Sequence, residues 1–138
     1  MTMPTPKPLQ DTHPIVRERA AGTIEYIASK EVGARDIVQH GGVPLLVELL
    51  EDVAMGVRDA AYAALVEAAR FNGVRSALVE TQYSLPRLML LVLKEEHERS
   101  IQGLVLLNSC AQVRVQKVCN YSRICYIYKV HCFYINFF

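Results

Sequence analysis

From Ile15 to about Cys110 apolar residues recur at helical spacing, and no run alternates in the manner of a strand. The pattern predicts a helix from about Pro14 to Ser29, with Val16, Ala20, Ala21, Ile24, Ile27 and Ala28 as its apolar stripe. Asp11 and Thr12 are candidate N-caps ahead of Pro14, whose fixed φ suits a first turn. A short helix over Val32 to Gln39 should break at Gly41-Gly42, and a medium one should begin at Val43-Pro44 and end near Leu50. An alanine-rich helix from Val57 to Ala69 follows, able to approach its neighbours closely. After Asn72-Gly73 the order returns: a short helix from Val74 to Glu80, a medium one from Leu85-Pro86 to Leu93, and a long one from Glu98 to Ala111.

The order short, medium, long thus occurs twice behind a lone long helix, and residue matches give it a period. Val16-Arg17-Glu18 aligns with Val57-Arg58-Asp59, and Ala20 and Ile24 with Ala61 and Leu65, all 41 residues apart. Val43-Pro44 aligns with Leu85-Pro86 at 42, and Gly33 and Arg35 with Gly73 and Arg75 at 40. Helical repeats of ~40–47 residues are those of armadillo and HEAT solenoids. The Gly42-Val-Pro-Leu-Leu-Val-Glu-Leu-Leu50 run after a short helix, followed by Val57-Arg-Asp-Ala-Ala-Tyr-Ala-Ala-Leu65, resembles the three-helix armadillo unit. The expected fold is all-α, an armadillo-type right-handed α-solenoid. It divides into a proline-rich disordered leader (1–12), a repeat region (13–112, made of 13–29, 31–71 and 72–112) and a non-repeat aromatic tail (113–138).

Within that scaffold, Val16-Arg17, Ala28-Ser29, Val32-Gly33, His40, Leu49-Leu50, Asp52, Arg58, Tyr62, Ala64, Cys110 and Gln112 are similar to the armadillo-type radial-spoke family of motile cilia, the rhabdoid tumour deletion region proteins. The resemblance implies a structural component of the cilium or flagellum axoneme that binds other spoke proteins. It also points to a ligand-facing surface, because the third helix of each armadillo unit lines the concave groove. Import adaptors of that fold carry a Trp and, four residues on, an Asn there. The Asn-equivalent positions here hold Tyr26, Glu67 and Asn108, and the Trp-equivalents hold Gly22, Ala63 and Leu104. Only Asn108 matches, and the chain has no Trp, so gripping of a basic peptide in the adaptor manner is not expected. The candidate partner-binding groove is Arg17, Tyr26, Arg58, Glu67, Arg70 and Asn108. An adaptor in ubiquitin ligation or trafficking is the alternative role.

Charge and composition narrow the function classes. The 138 residues carry 15 basic and 14 acidic side chains, a net +1 with no basic footprint for nucleic acid. The balance is uneven: up to Glu98 there are 14 acidic against 10 basic residues, and from Arg99 onward five basic and none acidic. No phosphate-cradling glycine motif, nucleophile elbow or His-Glu-x-x-His occurs, so no enzyme, cofactor or small-molecule substrate is expected. His40, beside Gly41-Gly42, fits a helix C-terminus. Lys94-Glu95-Glu96-His97-Glu98-Arg99 reads as a solvated connection between helices rather than a metal site. Cys119, Cys125, His131 and Cys132 lack the close pairing of zinc ligands.

The leader has no apolar core of a secretory signal, so a cytoplasmic chain with reduced thiols is expected. After Gln112 the helical stripe is expected to stop. The tail from Cys119 is rich in Tyr, Phe, Ile, Asn and Cys, and its apolar stretch from Ile124 holds Lys129 and His131, too short and too charged for a membrane-spanning helix. Its composition suggests translated intron. The alternative is a segment that docks on a partner or holds a peripheral protein at a lipid surface. Two repeats lacking polar caps also imply exposed apolar faces and dependence on a partner.

Overall fold

The computed structural model describes residues 7–81, 84–95 and 97–121. Among them the chain forms seven α-helices and no strand: α1 (Pro14–Ala28), α2 (Glu31–Gln39), α3 (Gly42–Leu49), α4 (Met55–Ala68), α5 (Asn72–Glu80), α6 (Ser84–Lys94) and α7 (His97–Tyr121). A 3-10 turn, Lys7–Gln10, precedes them.

Local chemistry sets the boundaries. Pro14 occupies the first turn of α1 behind an extended His13, and Asp11 Oδ1 accepts the His13 N–H at 2.8 Å instead of capping the helix. α2 ends where Gly41 takes φ +69°, a left-handed conformation that costs glycine little and side-chain-bearing residues more. His40 Nδ1 donates to the Asp36 carbonyl at 2.8 Å, in line with the expected structural role at that helix end. At the tight α1–α2 corner the Gly33 backbone lies so close to Ile27 that a Cβ there would overlap the Ile27 carbonyl oxygen.

α4 is the centre of the molecule. α1 packs along one side of it and α7 along the other, while α2 packs on α5, α3 on α4, and α6 on α7. The long helices thus lie in succession, an arrangement compatible with an α-solenoid. Close approach of α1 and α4 follows from small side chains: Ala21 and Ala28 on one and Ala61, Ala64 and Ala68 on the other are wholly buried. Leu46, Leu50, Leu65, Leu78, Leu88 and Leu106 fill the wider spaces, each withdrawing a side chain worth about 1.5–3 kcal/mol from water.

Two stretches differ from the sequence pattern. The leader is ordered from Lys7 rather than disordered to residue 12. Leu9 is buried in the turn, which packs on α1 and α3. A single leucine between prolines has no periodicity, yet it covers apolar surface that α1 and α3 would otherwise expose. α7 also runs past the expected stop at Gln112, on to Tyr121. No glycine or proline interrupts it after Gly103, and Leu106, Cys110 and Val113 recur on one face and are all buried. The rest of the aromatic tail, residues 122–138, lies outside the described residues, as do Met1 to Pro6.

Apolar surface remains exposed at both ends of the succession, at Ile15, Val16, Tyr26 and Ile27 on α1 and at Met89, Leu90, Leu93, Ile101, Leu104 and Val105 on α6 and α7.

Candidate interaction surface

The candidate groove residues separate into two groups, one built into the joints between helices and one presented to solvent. Arg17, in the first turn of α1, points across to the α3–α4 connection. Its Nε donates to Asp52 Oδ2 at 2.7 Å and its Nη2 to Asp52 Oδ1 at 2.9 Å, a two-pronged charge-assisted pair. Nη1 donates to the carbonyls of Asp11 at 2.7 Å and Thr12 at 3.0 Å, tying the leader to the helix. Asp52 Oδ1 further accepts the Ala54 N–H at 2.9 Å, which orders the entry to α4. The Arg17 guanidinium, helped by that amide and by the Arg58 charge, holds the Asp52 carboxyl below its ordinary range against the opposing effect of burial.

Arg58, one period later on α4, donates from Nη1 to the Asp52 carbonyl at 2.9 Å and lies 3.8 Å through Nε from Glu95 Oε1. Glu95 Oε2 in turn accepts from Arg99 Nε at 2.7 Å, and Arg99 Nη1 donates to Asp59 Oδ1 at 2.8 Å, joining α7 to α4. This corrects the sequence reading of a solvated connection at Glu95 and Arg99, while Lys94 and Glu98 are exposed as expected. The Glu95 and Arg99 side chains are only 10% and 8% exposed, because charged partners on α4 and α7 replace water around them. Arg99 was not among the candidate residues. Its signal was present, since it follows Arg58 by the same 41 residues that separate Arg58 from Arg17. Tyr62, wholly buried beside this network, has a hydroxyl without a hydrogen-bond partner. Burial, and then the Glu95 charge, push its phenol up to about 12, so it stays neutral.

Tyr26, Glu67 and Asn108 form the second group. They occupy equivalent positions, 41 residues apart, on α1, α4 and α7, the three helices that pack in succession. Tyr26 is 74% exposed, Asn108 is exposed, and Glu67 is partly covered, its Oε1 accepting from Arg70 Nη1 at 2.6 Å. The structure therefore pairs Glu67 with Arg70 and sets Arg17 and Arg58 in separate joints, each sharing Asp52.

Among the described residues no group of three or more His, Cys, Asp or Glu side chains could hold a metal ion. The side chains of His97, Cys119, Cys125, His131 and Cys132 lie outside what is described. Among the described residues no helix is long and apolar enough to cross a membrane.

No protein-family model matches the chain. It is similar to radial spoke protein 14 of Chlamydomonas reinhardtii, 51% identical in an alignment 113 residues long that covers 77% of this chain and 29% of that protein. The chain thus spans less than a third of the length of the curated relative it matches.

Proposed function

We propose that the chain is an armadillo-type, right-handed α-solenoid segment that acts, without catalysis, as a protein-binding structural component of the radial spoke in the ciliary or flagellar axoneme. The observation that carries this reading is the 51% identity to radial spoke protein 14 across most of the chain. The repeat is supported by the succession of α1, α4 and α7, by the pairing of α2 with α5, and by contacts that recur after one period. In this reading 13–29 is the last helix of a partial unit, and 31–71 and 72–112 are full units.

The partner faces the row formed by Tyr26, Glu67 and Asn108, flanked by Arg70, while Arg17 and Arg58 keep the layers in register at the opposite ends of α1 and α4. An exposed aromatic ring with amide, carboxylate and guanidinium groups alongside suits a protein surface better than a small molecule. Expression of the tagged chain in ciliated cells, followed by salt extraction of axonemes, tests the assignment. The chain should co-purify with the spoke complexes; recovery only in the cell body would overturn it.

A further inference from the structure

A cleft of about 410 Å3 opens between α2 and the start of α5. Glu31 and Arg35 line it from α2, Arg70 and Phe71 from the α4–α5 connection, and Gly73 and Arg75 from α5. Three guanidinium groups therefore meet one carboxylate of the lining, in a region of the chain that up to Glu98 carries a net −4.

None of the three is neutralised by a buried acid. Arg35 is 3.6 Å from Glu31, with both side chains mostly in water, a contact worth at most about 1 kcal/mol. Arg70 pairs with Glu67 at 2.6 Å but is itself 67% exposed, so solvent screens the contact. Arg75 bonds through Nη2 to the neutral side-chain oxygen of Asn72, and its Nε is buried without a hydrogen-bond partner. A buried guanidinium N–H without an acceptor is costly, and an anionic oxygen entering the cleft offers one. The start of α5 points the same way: the Phe71 carbonyl takes the Val74 and Arg75 amides, and no side-chain cap serves those of Asn72 and Gly73. Space is available too, since a Cβ at Gly73 would meet no atom within 4 Å.

We propose that this cleft binds an acidic segment of a partner protein, seating a carboxylate side chain among Arg35, Arg70 and Arg75 at the opening of α5. The planar fork of a guanidinium matches a carboxylate, and the Phe71 ring and the Ala34 and Val38 side chains in the lining accommodate an apolar neighbour in the bound segment. A nucleic acid fits less well, because Glu31 in the lining and Glu67 paired with Arg70 interrupt the positive charge. The cleft involves first helices and borders the row of Tyr26, Glu67 and Asn108, meeting it at Arg70. The inference holds whether or not the chain sits in a spoke.

Fluorescence anisotropy of a labelled oligoglutamate peptide with the full chain, at low and high salt, tests it. The wild-type chain should bind. The double variant Arg35→Glu/Arg70→Glu should weaken binding at least ~10-fold, equivalent to about 1.4 kcal/mol. Gly73→Glu, which places a tethered carboxylate in open space, should weaken it similarly with its helical circular dichroism preserved. Arg87→Glu, which alters an exposed arginine paired with Glu51 on α3–α4's connecting turn, should leave binding unchanged. Absence of wild-type binding, equal weakening by Arg87→Glu, or equally tight binding of a single-stranded oligonucleotide would each overturn the proposal.

Discussion

Arg17 and Arg58 make the same contact one period apart: each Nη1 donates to the backbone carbonyl six residues before it, Asp11 at 2.7 Å and Asp52 at 2.9 Å. Each then reaches a carboxylate much further along the chain, Asp52 for Arg17 and Glu95 for Arg58. One side chain thus fixes the approach to its own helix and ties it to the layer that follows. The expense of withdrawing these charges from water is offset by multiple charge-assisted bonds, and the geometry restricts how the helices can slide.

Glu95 is the most vulnerable member of this network, because its carboxylate faces both Arg58 and Arg99 with little solvent. Glu95→Gln should destabilise the fold by about 3 kcal/mol, the usual cost of stranding a buried charge. Glu31→Gln removes an exposed pair and should cost less than about 1 kcal/mol. Urea denaturation of the two variants distinguishes them.

Asp52 gives the fold a defined acid sensitivity. Its carboxyl is held below the ordinary value of about 3.9, so the pair with Arg17 contributes fully above that value. As pH falls further the unfolded chain takes up the proton first, and the contribution is lost by the time pH passes the depressed folded value. The melting temperature of the wild type should therefore fall more steeply on acidification than that of Asp52→Asn. Parallel curves from thermal melts across the acid range would contradict the pairing.

Gly33 and Gly73, a period apart in the sequence, should respond oppositely to alanine. At Gly33 the new Cβ would overlap the Ile27 carbonyl, forcing the α1–α2 corner apart and destabilising the fold by more than ~1 kcal/mol. At Gly73 the space is open and the residue lies in a helix, so alanine should be neutral or stabilising by up to about 1 kcal/mol. Thermal denaturation of both variants checks the contrast.

How much of this was legible beforehand depended on whether the signal was local. Helix order and the Gly41-Gly42 break follow from side chains within a few residues of each other, and, the end of α7 apart, the boundaries appear in the structure within a residue or two. The 40–42 residue spacing was visible through apolar anchors such as Val16 and Val57. Burial of Glu95 and Arg99 was not, because six consecutive polar residues resemble a solvated linker until Arg58 and Asp59 are brought against them. Leu9 failed for a similar reason, since its burial depends on α1 and α3. Past Val113, the apolar Val115 and Val118 obscured the helical period, though the intervening Arg, Gln and Lys favour helix. For the candidate surface, register placed Tyr26, Glu67 and Asn108 at matching positions, but spacing alone could not separate them from Arg17 and Arg58, whose roles depend on partners in the next layer.

The proposed binding of spoke proteins runs through the row of Tyr26, Glu67 and Asn108. Its most direct test is co-sedimentation of the purified chain with radial spokes extracted from axonemes, alongside the triple variant Tyr26→Ala/Glu67→Ala/Asn108→Ala. These side chains lie outside the buried core, so the variant should melt within a few degrees of the wild type. The wild type should sediment with the spokes, and the folded triple variant should remain in the supernatant. Wild-type chain left in the supernatant, or a triple variant that sediments equally well, would contradict the proposed binding.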